Sequence, residues 1–195
     1  GIGKTILLNA LQDIAEEQGY LTIYMDGRNI HPAPSEFLQT FHEILAANGS
    51  DDPMAQMTES SHMVLFLDTY EQISLLDDWL RDAFLLQLPA QTRIVIAGRN
   101  VPDKAWWTVA GWRDVTQMVA LHNLEFDESK TYLAARNIPE DQHQHLIDFT
   151  HGHPLALALV ADVIRYGQLS FEPADNPQII QTLLEHFVQQ VPSPR

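Results

Sequence analysis

Apolar residues in the first part of the chain recur with two different spacings. Spacings of three and four residues, which place side chains on one face of a helix, occur over residues 5–18 and again from Ser35 onward. We predict that Ser35 caps this second helix, because Pro32 and Pro34 rule out regular structure just before it. A third amphipathic pattern predicts a long helix over residues 71–88.

Short runs rich in β-branched, aromatic and other apolar residues alternate with these helices and predict strands. The predicted strands are residues 20–26, 63–68, 92–99 and 115–124. Alternating strands and helices are typical of an α/β fold, in which a doubly wound parallel sheet has helices on both faces. Ligands of such folds bind at the carboxyl ends of the strands, so polar residues at those ends are the first candidates for a site.

After Leu124 the strand patterns stop and only helical patterns follow. These predicted helices are residues 127–136, 139–150, 154–166 and 177–190. We therefore predict two domains, an α/β core over residues 1–124 and a small helical subdomain over residues 125–195.

The first five residues, GIGKT, match the last part of the phosphate-binding loop G-x-x-x-x-G-K-[ST]. Backbone N–H groups of such a loop point at phosphate oxygens from a helix start, and glycine permits the close approach. We predict that Gly1 and Gly3 belong to this loop. Lys4 would bind the β- and γ-phosphates, and the Thr5 hydroxyl would be a ligand of Mg²⁺. The leading glycine and a preceding strand are then expected upstream. The alternatives are a residual tag and a glycine-rich helix start.

Acidic and basic residues at predicted strand ends supply a second motif. Asp68 ends the apolar run at a distance from Lys4 that accommodates a helix, a strand and a second helix. An acid in this position would hold Mg²⁺ through water. Glu71 is a candidate catalytic base that would orient or deprotonate the attacking water, and Arg99 is a candidate sensor of the γ-phosphate. The alternatives are a helix-dipole role for Glu71 and an ordinary surface position for Arg99.

Composition narrows the possible functions. The chain has 11 Lys and Arg against 26 Asp and Glu, a formal net charge of −15, so we expect no direct nucleic-acid contact by this segment. Binding of a triphosphate is still compatible with this negative charge, because Mg²⁺ and a few well-placed donors bind it locally. The absence of cysteine excludes disulfides and thiolate metal sites and fits a reducing cytoplasm. No apolar run reaches membrane-spanning length, and we expect no membrane contact.

Four segments in the order GIGKT, VLFLDTYE, TRIVIAGR and HGHPLALAL resemble the signal-transducing ATPases with numerous domains (STAND), a branch of the AAA-like P-loop NTPases. The resemblance covers nearly the whole chain. It implies a three-layer P-loop sandwich with strand order 5-1-4-3-2, whose first strand is missing here, followed by a helical lid. GIGKT then corresponds to the Walker A motif, and the strand that ends in Asp68 corresponds to Walker B.

The same resemblance implies a function and a set of partners. The family binds ATP or ADP with Mg²⁺, and we expect slow ATP hydrolysis that switches a multidomain, cytoplasmic regulator of signalling or transcription. Pro154, in the sequence Gly152-His153-Pro154-Leu155, would lie against the adenine. Other domains of the parent chain are expected partners, and so are further copies in a nucleotide-dependent assembly. From the residues alone, Gly152 and Pro154 are explained by a joint between two helices.

Two other functions remain as alternatives. A ring-forming AAA-type motor ATPase would need an arginine finger from a neighbouring subunit, and the sequence identifies none. A non-enzymatic scaffold that has lost the nucleotide is disfavoured by the intact Lys4, Asp68 and Arg99. The histidines at 143, 145, 151 and 153 form two H-x-H pairs. Residues two apart on a helix face different directions, which disfavours a metal site.

Overall fold

A computed structural model of the protein describes residues 3–47, 62–165 and 181. The chain divides into two compact units, Lys4–Val119 and Ala120–Arg195, and the second also takes in Gly1–Gly3. The domain boundary predicted from the sequence lies after Leu124. The assignment of the two parts as nucleotide-binding core and lid stays a prediction.

The first unit contains a three-stranded parallel sheet. Its strands, in the order β1-β2-β3, are β1 (Leu21–Asp26), β2 (Met63–Asp68) and β3 (Arg93–Ile96). The register pairs Asp26 with Asp68, so the carboxyl ends of β1 and β2 are level. The predicted α/β class with a parallel sheet is confirmed, whereas the complete strand order 5-1-4-3-2 stays a prediction.

Helices cover both faces of this sheet, because alternate strand residues point to opposite faces. On one face, α1 (Lys4–Glu17) buries Leu8 against Phe66. On the other face, α2 (Pro34–Ala47) and the segment after β2 enclose the larger core. The largest fully buried side chains of this core are Phe37, Phe41, Ile23, Met25, Leu45, Met63, Leu65, Leu67, Ile73 and Leu80. The first unit therefore has three layers.

The second helix begins earlier than predicted. Its first residue is Pro34, so Ser35 lies inside the helix and is not its cap. The prediction that Pro34 excludes regular structure is wrong, because the first helical position needs no N–H donor and accepts the fixed φ of proline. The backbone N–H of Phe37 donates to the carbonyl of Ala33 at 3.1 Å, which closes the first turn.

Residues 70–87 form a series of short helical turns, and the predicted long helix over 71–88 is wrong. The series consists of 3-10 turns at Tyr70–Gln72 and Ser74–Leu76, α3 (Asp77–Trp79), a π turn at Leu80–Phe84 and a 3-10 turn at Leu85–Gln87. Buried Tyr70, Ile73 and Leu76 are three residues apart, which suits three residues per turn. From Leu76 onward the buried residues Leu80 and Phe84 follow at intervals of four, which suits a wider turn.

Residues 115–124, predicted as the last strand, pair with no strand in the part of the chain that the structure describes. Val115, Met118 and Val119 are exposed. A strand is stable only when its backbone polar groups are paired, and in the predicted order this segment would neighbour the first strand, which no described residue forms. The strand prediction for 115–124 is therefore wrong. β3 is also shorter than the predicted 92–99.

A one-turn helix, α4 (Ala105–Thr108), follows β3 and packs Trp106 into the larger core of the first unit. The rings of Trp106 and Trp112 meet edge to face, with centroids 5.1 Å apart. The tryptophan-rich segment thus contributes to packing inside this unit.

The described part of the second unit is helical, as predicted. Its helices are α5 (Phe126–Ala135), α6 (Glu140–Thr150) and α7 (Pro154–Arg165). They pack around Leu133, Leu146, Leu157 and Val160. The predicted helix over 177–190 lies outside the described residues, apart from Gln181. Within the described ranges, no helix is both long enough and apolar enough to cross a membrane.

Candidate functional site

Asp68, the last residue of β2, is the centre of a hydrogen-bonded cluster. Only 3% of the residue is exposed. Its Oδ2 accepts hydrogen bonds from the Thr5 hydroxyl at 2.6 Å and from the Tyr24 phenol at 2.9 Å. Its Oδ1 accepts a hydrogen bond from the backbone N–H of Thr69 at 2.7 Å. We call Thr5, Tyr24 and Asp68 the Asp68 cluster. Thr5 is 63 residues away in sequence, so the fold creates this contact.

The alternation of strand residues explains why these side chains meet. Tyr24 and Phe66 lie on the sheet face that α1 covers, and Asp68 follows Phe66 by two residues on the same face. The register places Tyr24 opposite Phe66, which makes Asp68 its diagonal neighbour. Because α1 begins over this face, Thr5 in its first turn reaches the same carboxylate.

The predicted phosphate-binding residues lie at the start of α1. Gly3 has a φ of 87°, in the left-handed region that favours glycine. A Cβ there would meet no atom within 4 Å, so the backbone conformation is what requires glycine. Lys4 and Thr5 are the first two residues of the helix, where backbone N–H groups suit an anion. Gly1 lies outside the described residues.

Tyr24 also belongs to the Asp68 cluster, although no sequence motif identifies it. Burial raises the pKa of its phenol well above the ordinary value, and the hydrogen bond to Asp68 raises it further. The phenol therefore stays protonated and remains a donor across the neutral range. The available signal was the two-residue alternation in β1 that puts Tyr24 on one face with Asp26, but a single sequence does not give the register against β2.

The turn after Asp68 is strained and closely packed. Thr69 has a φ of 52°, in the left-handed region, which is unfavourable for a β-branched residue. A Cβ at Gly27, just after β1, would be 2.6 Å from the carbonyl oxygen of Thr69. The missing side chain at Gly27 thus lets the segments after β1 and β2 pack against each other.

Glu71 and Arg99 form a second pair. The backbone N–H of Arg99 donates to Oε2 of Glu71 at 3.0 Å, and Nε of the guanidinium lies 3.4 Å from Oε1. The Glu71 side chain is 11% exposed and that of Arg99 56%. A Cβ at Gly98 would be 3.3 Å from Oε2, so glycine there gives the carboxylate room. The structure thus brings two predicted catalytic residues into contact, and their catalytic roles stay predictions.

Arg28 lies in the turn after β1. Its guanidinium pairs with Asp26 at 2.6 Å, and its side chain is largely exposed. Hydrogen bonds from Arg28 lower the pKa of the Asp26 carboxyl. This pairing is what an exposed loop arginine makes with a neighbouring acid.

A buried network that no sequence motif identifies supports the segment that carries Glu71. Asp77 and Arg81 are both buried, and Arg81 donates to Oδ2 of Asp77 at 3.1 Å. Oδ1 of Asp77 accepts hydrogen bonds from the Tyr70 hydroxyl and, at 2.8 Å, from the Trp106 indole N–H. Burial and the bond to Asp77 raise the pKa of the Tyr70 phenol. We call Tyr70, Asp77, Arg81 and Trp106 the Asp77 network.

Pro154 and Gly152 belong to the second unit. Pro154 is the first residue of α7. Gly152 has a φ of 69°, its carbonyl accepts the N–H of Leu124 at 2.9 Å, and a Cβ on it would collide with the carbonyl oxygen of Leu124. Close backbone packing therefore requires this glycine, in addition to the helix joint that the sequence predicts.

Two histidines of the H-x-H pairs, His143 and His153, are buried. Both make contacts within the second unit. Nε2 of His143 lies 2.8 Å from the carbonyl oxygen of Ile138, and Nδ1 of His153 accepts the N–H of Ala156 at 3.4 Å. In the described ranges, no group of three or more His, Asp or Glu side chains is arranged to hold a metal ion.

No protein-family model matches the chain, and no curated protein matches it. Among solved structures, it is similar to the replication initiator DnaA bound to AMPPCP and single-stranded DNA, with a TM-score of 0.50 and 18% sequence identity. The match covers 91% of this chain and 56% of the DnaA chain. The chain therefore has a fold distantly similar to that of the DnaA structure, and it spans little more than half of that chain.

Proposed function

We propose that this chain is the ATP-binding switch domain of a multidomain regulator of signalling or transcription, with slow ATP hydrolysis. The observation that carries the proposal is the 2.6 Å hydrogen bond between Thr5 and Asp68. It joins the end of a GKT sequence to the acid that ends the central strand of a parallel sheet. The distant similarity to DnaA, whose structure contains the nucleotide AMPPCP, supports the same function.

The oxygen atoms of the Asp68 cluster suit Mg²⁺, which prefers hard oxygen ligands and keeps several waters. The Thr5 hydroxyl has one proton, which it donates to Asp68, so its oxygen presents lone pairs on its other side. Thr5 would bind the ion directly, and Asp68 would hold it through water. Bound Mg²⁺ would supply charge neutralisation at the phosphates.

The start of α1 would hold the phosphates. Gly1 and Gly3 would contribute the backbone of the loop, and Lys4 would place its ammonium group on the β- and γ-phosphates. Tight phosphate binding is compatible with a net charge of −15, because these contacts act at short range.

In the proposed mechanism, hydrolysis requires that Glu71 is first released from its pair with Arg99. While the Arg99 guanidinium lies 3.4 Å from Glu71, it occupies the carboxylate. A γ-phosphate would compete for the guanidinium and release Glu71 to accept a proton from the attacking water. Arg99 would in this way connect the presence of ATP to the availability of the base.

The second unit would serve as the lid, with Pro154 against the adenine, as the resemblance to STAND ATPases implies. Expected partners are other domains of the parent protein and further copies in the nucleotide-bound state, and the expected location is the cytoplasm. The single-stranded DNA of the DnaA structure is not carried over to this segment, because its net charge of −15 opposes a polyanion.

The first test is calorimetric titration of ADP and Mg-ATP into the full-length parent protein and into its Lys4→Ala variant. We expect the wild type to bind both nucleotides and Lys4→Ala to lose about 100-fold in affinity, since a charge-assisted contact to phosphate is removed. Lys104→Ala, in the same unit, is the control and should bind as the wild type does. Unchanged affinity in Lys4→Ala would overturn the phosphate-loop assignment.

A second test separates chemistry from binding. Glu71→Gln keeps the shape of the side chain and an oxygen for the Arg99 N–H, but it cannot accept a proton as a base. We expect phosphate release to slow by about 100-fold while nucleotide affinity stays unchanged. Glu36→Gln, in α2, is the control. Normal phosphate release from Glu71→Gln would return Glu71 to the helix-dipole interpretation.

The two alternatives predict different outcomes of these experiments. Ring-sized particles that appear only with ATP, together with rapid turnover, would favour a motor ATPase. Absence of binding of either nucleotide to the wild type would favour a scaffold that has kept the fold alone.

A further inference from the structure

Tyr24 contacts the Asp68 carboxylate from a position that packing fixes. Its ring stacks on Phe66 with centroids 6.4 Å apart and lies in the small core beneath α1, beside Leu8 and Ala15. Its hydroxyl donates to Oδ2 of Asp68 at 2.9 Å. A rigid aromatic ring in a packed layer delivers this donor with little freedom to move away.

The hydrogen bonds on Asp68 leave a defined part of its carboxylate available. An ionised carboxylate has about four acceptor directions, two on each oxygen. On Oδ2, both directions are used, one by Thr5 and one by Tyr24. On Oδ1, the N–H of Thr69 uses one direction. Within the part of the chain that the structure describes, the acceptor direction that no donor uses is therefore on Oδ1.

We infer that Tyr24 is a positioning residue for the magnesium site: its phenol holds the Asp68 carboxylate against Thr5 and directs the open side of Oδ1 toward a water bound to the ion. The inference rests on the proposed function, because it needs Thr5 and Asp68 to serve Mg²⁺. Removal of a partner that orients a metal-binding group in this way commonly weakens metal binding by a factor of about 10 to 100.

A purely structural role for Tyr24 makes a different prediction. If the phenol only stabilised the first unit, its removal would weaken nucleotide binding equally with and without Mg²⁺. If it positions Asp68 for the ion, only the part of nucleotide affinity that depends on Mg²⁺ falls. The ratio of ADP affinity in Mg²⁺ to ADP affinity in EDTA distinguishes the two roles.

The experiment measures this ratio for the full-length parent protein and for its Tyr24→Phe variant, which keeps the ring and removes the hydroxyl. We expect the ratio to fall about tenfold in Tyr24→Phe, with ADP affinity in EDTA unchanged. Binding of Mn²⁺ to the ADP complex, followed by electron paramagnetic resonance, should weaken by a similar factor. Tyr20→Phe is the matched control, because Tyr20 precedes the same strand and its ring packs on His62, 5.1 Å away.

Two results would overturn the inference while leaving the proposed function in place. One is a ratio for Tyr24→Phe equal to that of the wild type, and the other is an equal loss of ADP affinity in Mg²⁺ and in EDTA. Failure of the wild type to bind ADP under either condition is a separate result. It would overturn the proposed function itself, and the inference about Tyr24 with it.

Discussion

Replacement of Asp77 by alanine is expected to lower the free energy of unfolding of the first unit by about 3–5 kcal/mol. The change removes a buried negative charge from beside the buried guanidinium of Arg81. It also leaves the hydroxyl of Tyr70 and the indole N–H of Trp106 without their acceptor. A buried donor that loses its partner costs its full desolvation free energy. Urea unfolding followed by tryptophan fluorescence measures the loss, because all four tryptophans lie between residues 79 and 112.

Asp78→Ala is the matched control for Asp77→Ala. Asp78 pairs with the same Arg81 at 2.6 Å, but its side chain is 89% exposed. An exposed ion pair contributes about 0–1 kcal/mol, so this variant should unfold close to the wild-type midpoint. Asp77→Asn keeps an acceptor oxygen and provides a folded variant of intermediate stability if the alanine variant does not fold. Equal losses for Asp77→Ala and Asp78→Ala would contradict the importance of the buried network.

Gly152→Ala is expected to destabilise the second unit by about 3 kcal/mol. Two costs combine at this position. An alanine with a φ of 69° is strained, and its Cβ would collide with the backbone carbonyl of Leu124, which cannot rotate away as a side chain can. Hydrogen exchange of peptides from α5, α6 and α7 should show the loss of protection, while peptides from the first unit stay as in the wild type.

Gly19→Ala isolates the strain from the collision. Gly19 has a φ of 78°, but a Cβ on it would meet no atom within 4 Å. The free energy of unfolding of this variant should therefore fall by about 1 kcal/mol, which is the cost of the left-handed conformation alone. If Gly152→Ala loses no more stability than Gly19→Ala, the backbone around Leu124 adapts, and close packing does not require glycine at position 152.

The elements that the sequence predicts well are those whose patterns are local. The apolar run that ends in Asp68 is the central strand, and the helical spacing from Thr5 onward is α1. The prediction is wrong over 71–88, because apolar intervals of three and of four together resemble one α-helical pattern. It failed also over 115–124, because apolar composition predicts a strand without showing what it pairs with.

The sequence predicts the residues of the candidate site that lie in the loop and at the strand ends. It does not predict the side chains that hydrogen-bond to them or support their segment. Thr5 and Asp68 belong to two separate predicted motifs, and a hydrogen bond joins them in the structure. Tyr24 and Asp77 do not belong to any motif that the sequence shows. Their contacts depend on strand register and on the change of helical pitch after β2, which are tertiary properties that a single sequence does not give.

The register of β1 against β2 has a consequence for how this protein can change in evolution. Residues 23 and 25 are apolar and face the larger core, whereas Tyr24 faces α1. Deletion of one residue within β1 would exchange these faces, burying a phenol in the apolar core and leaving an isoleucine or methionine beside Asp68. Changes of chain length in the strands are therefore far less acceptable than changes in the loops, and homologous proteins that keep the site are expected to keep the length of β1.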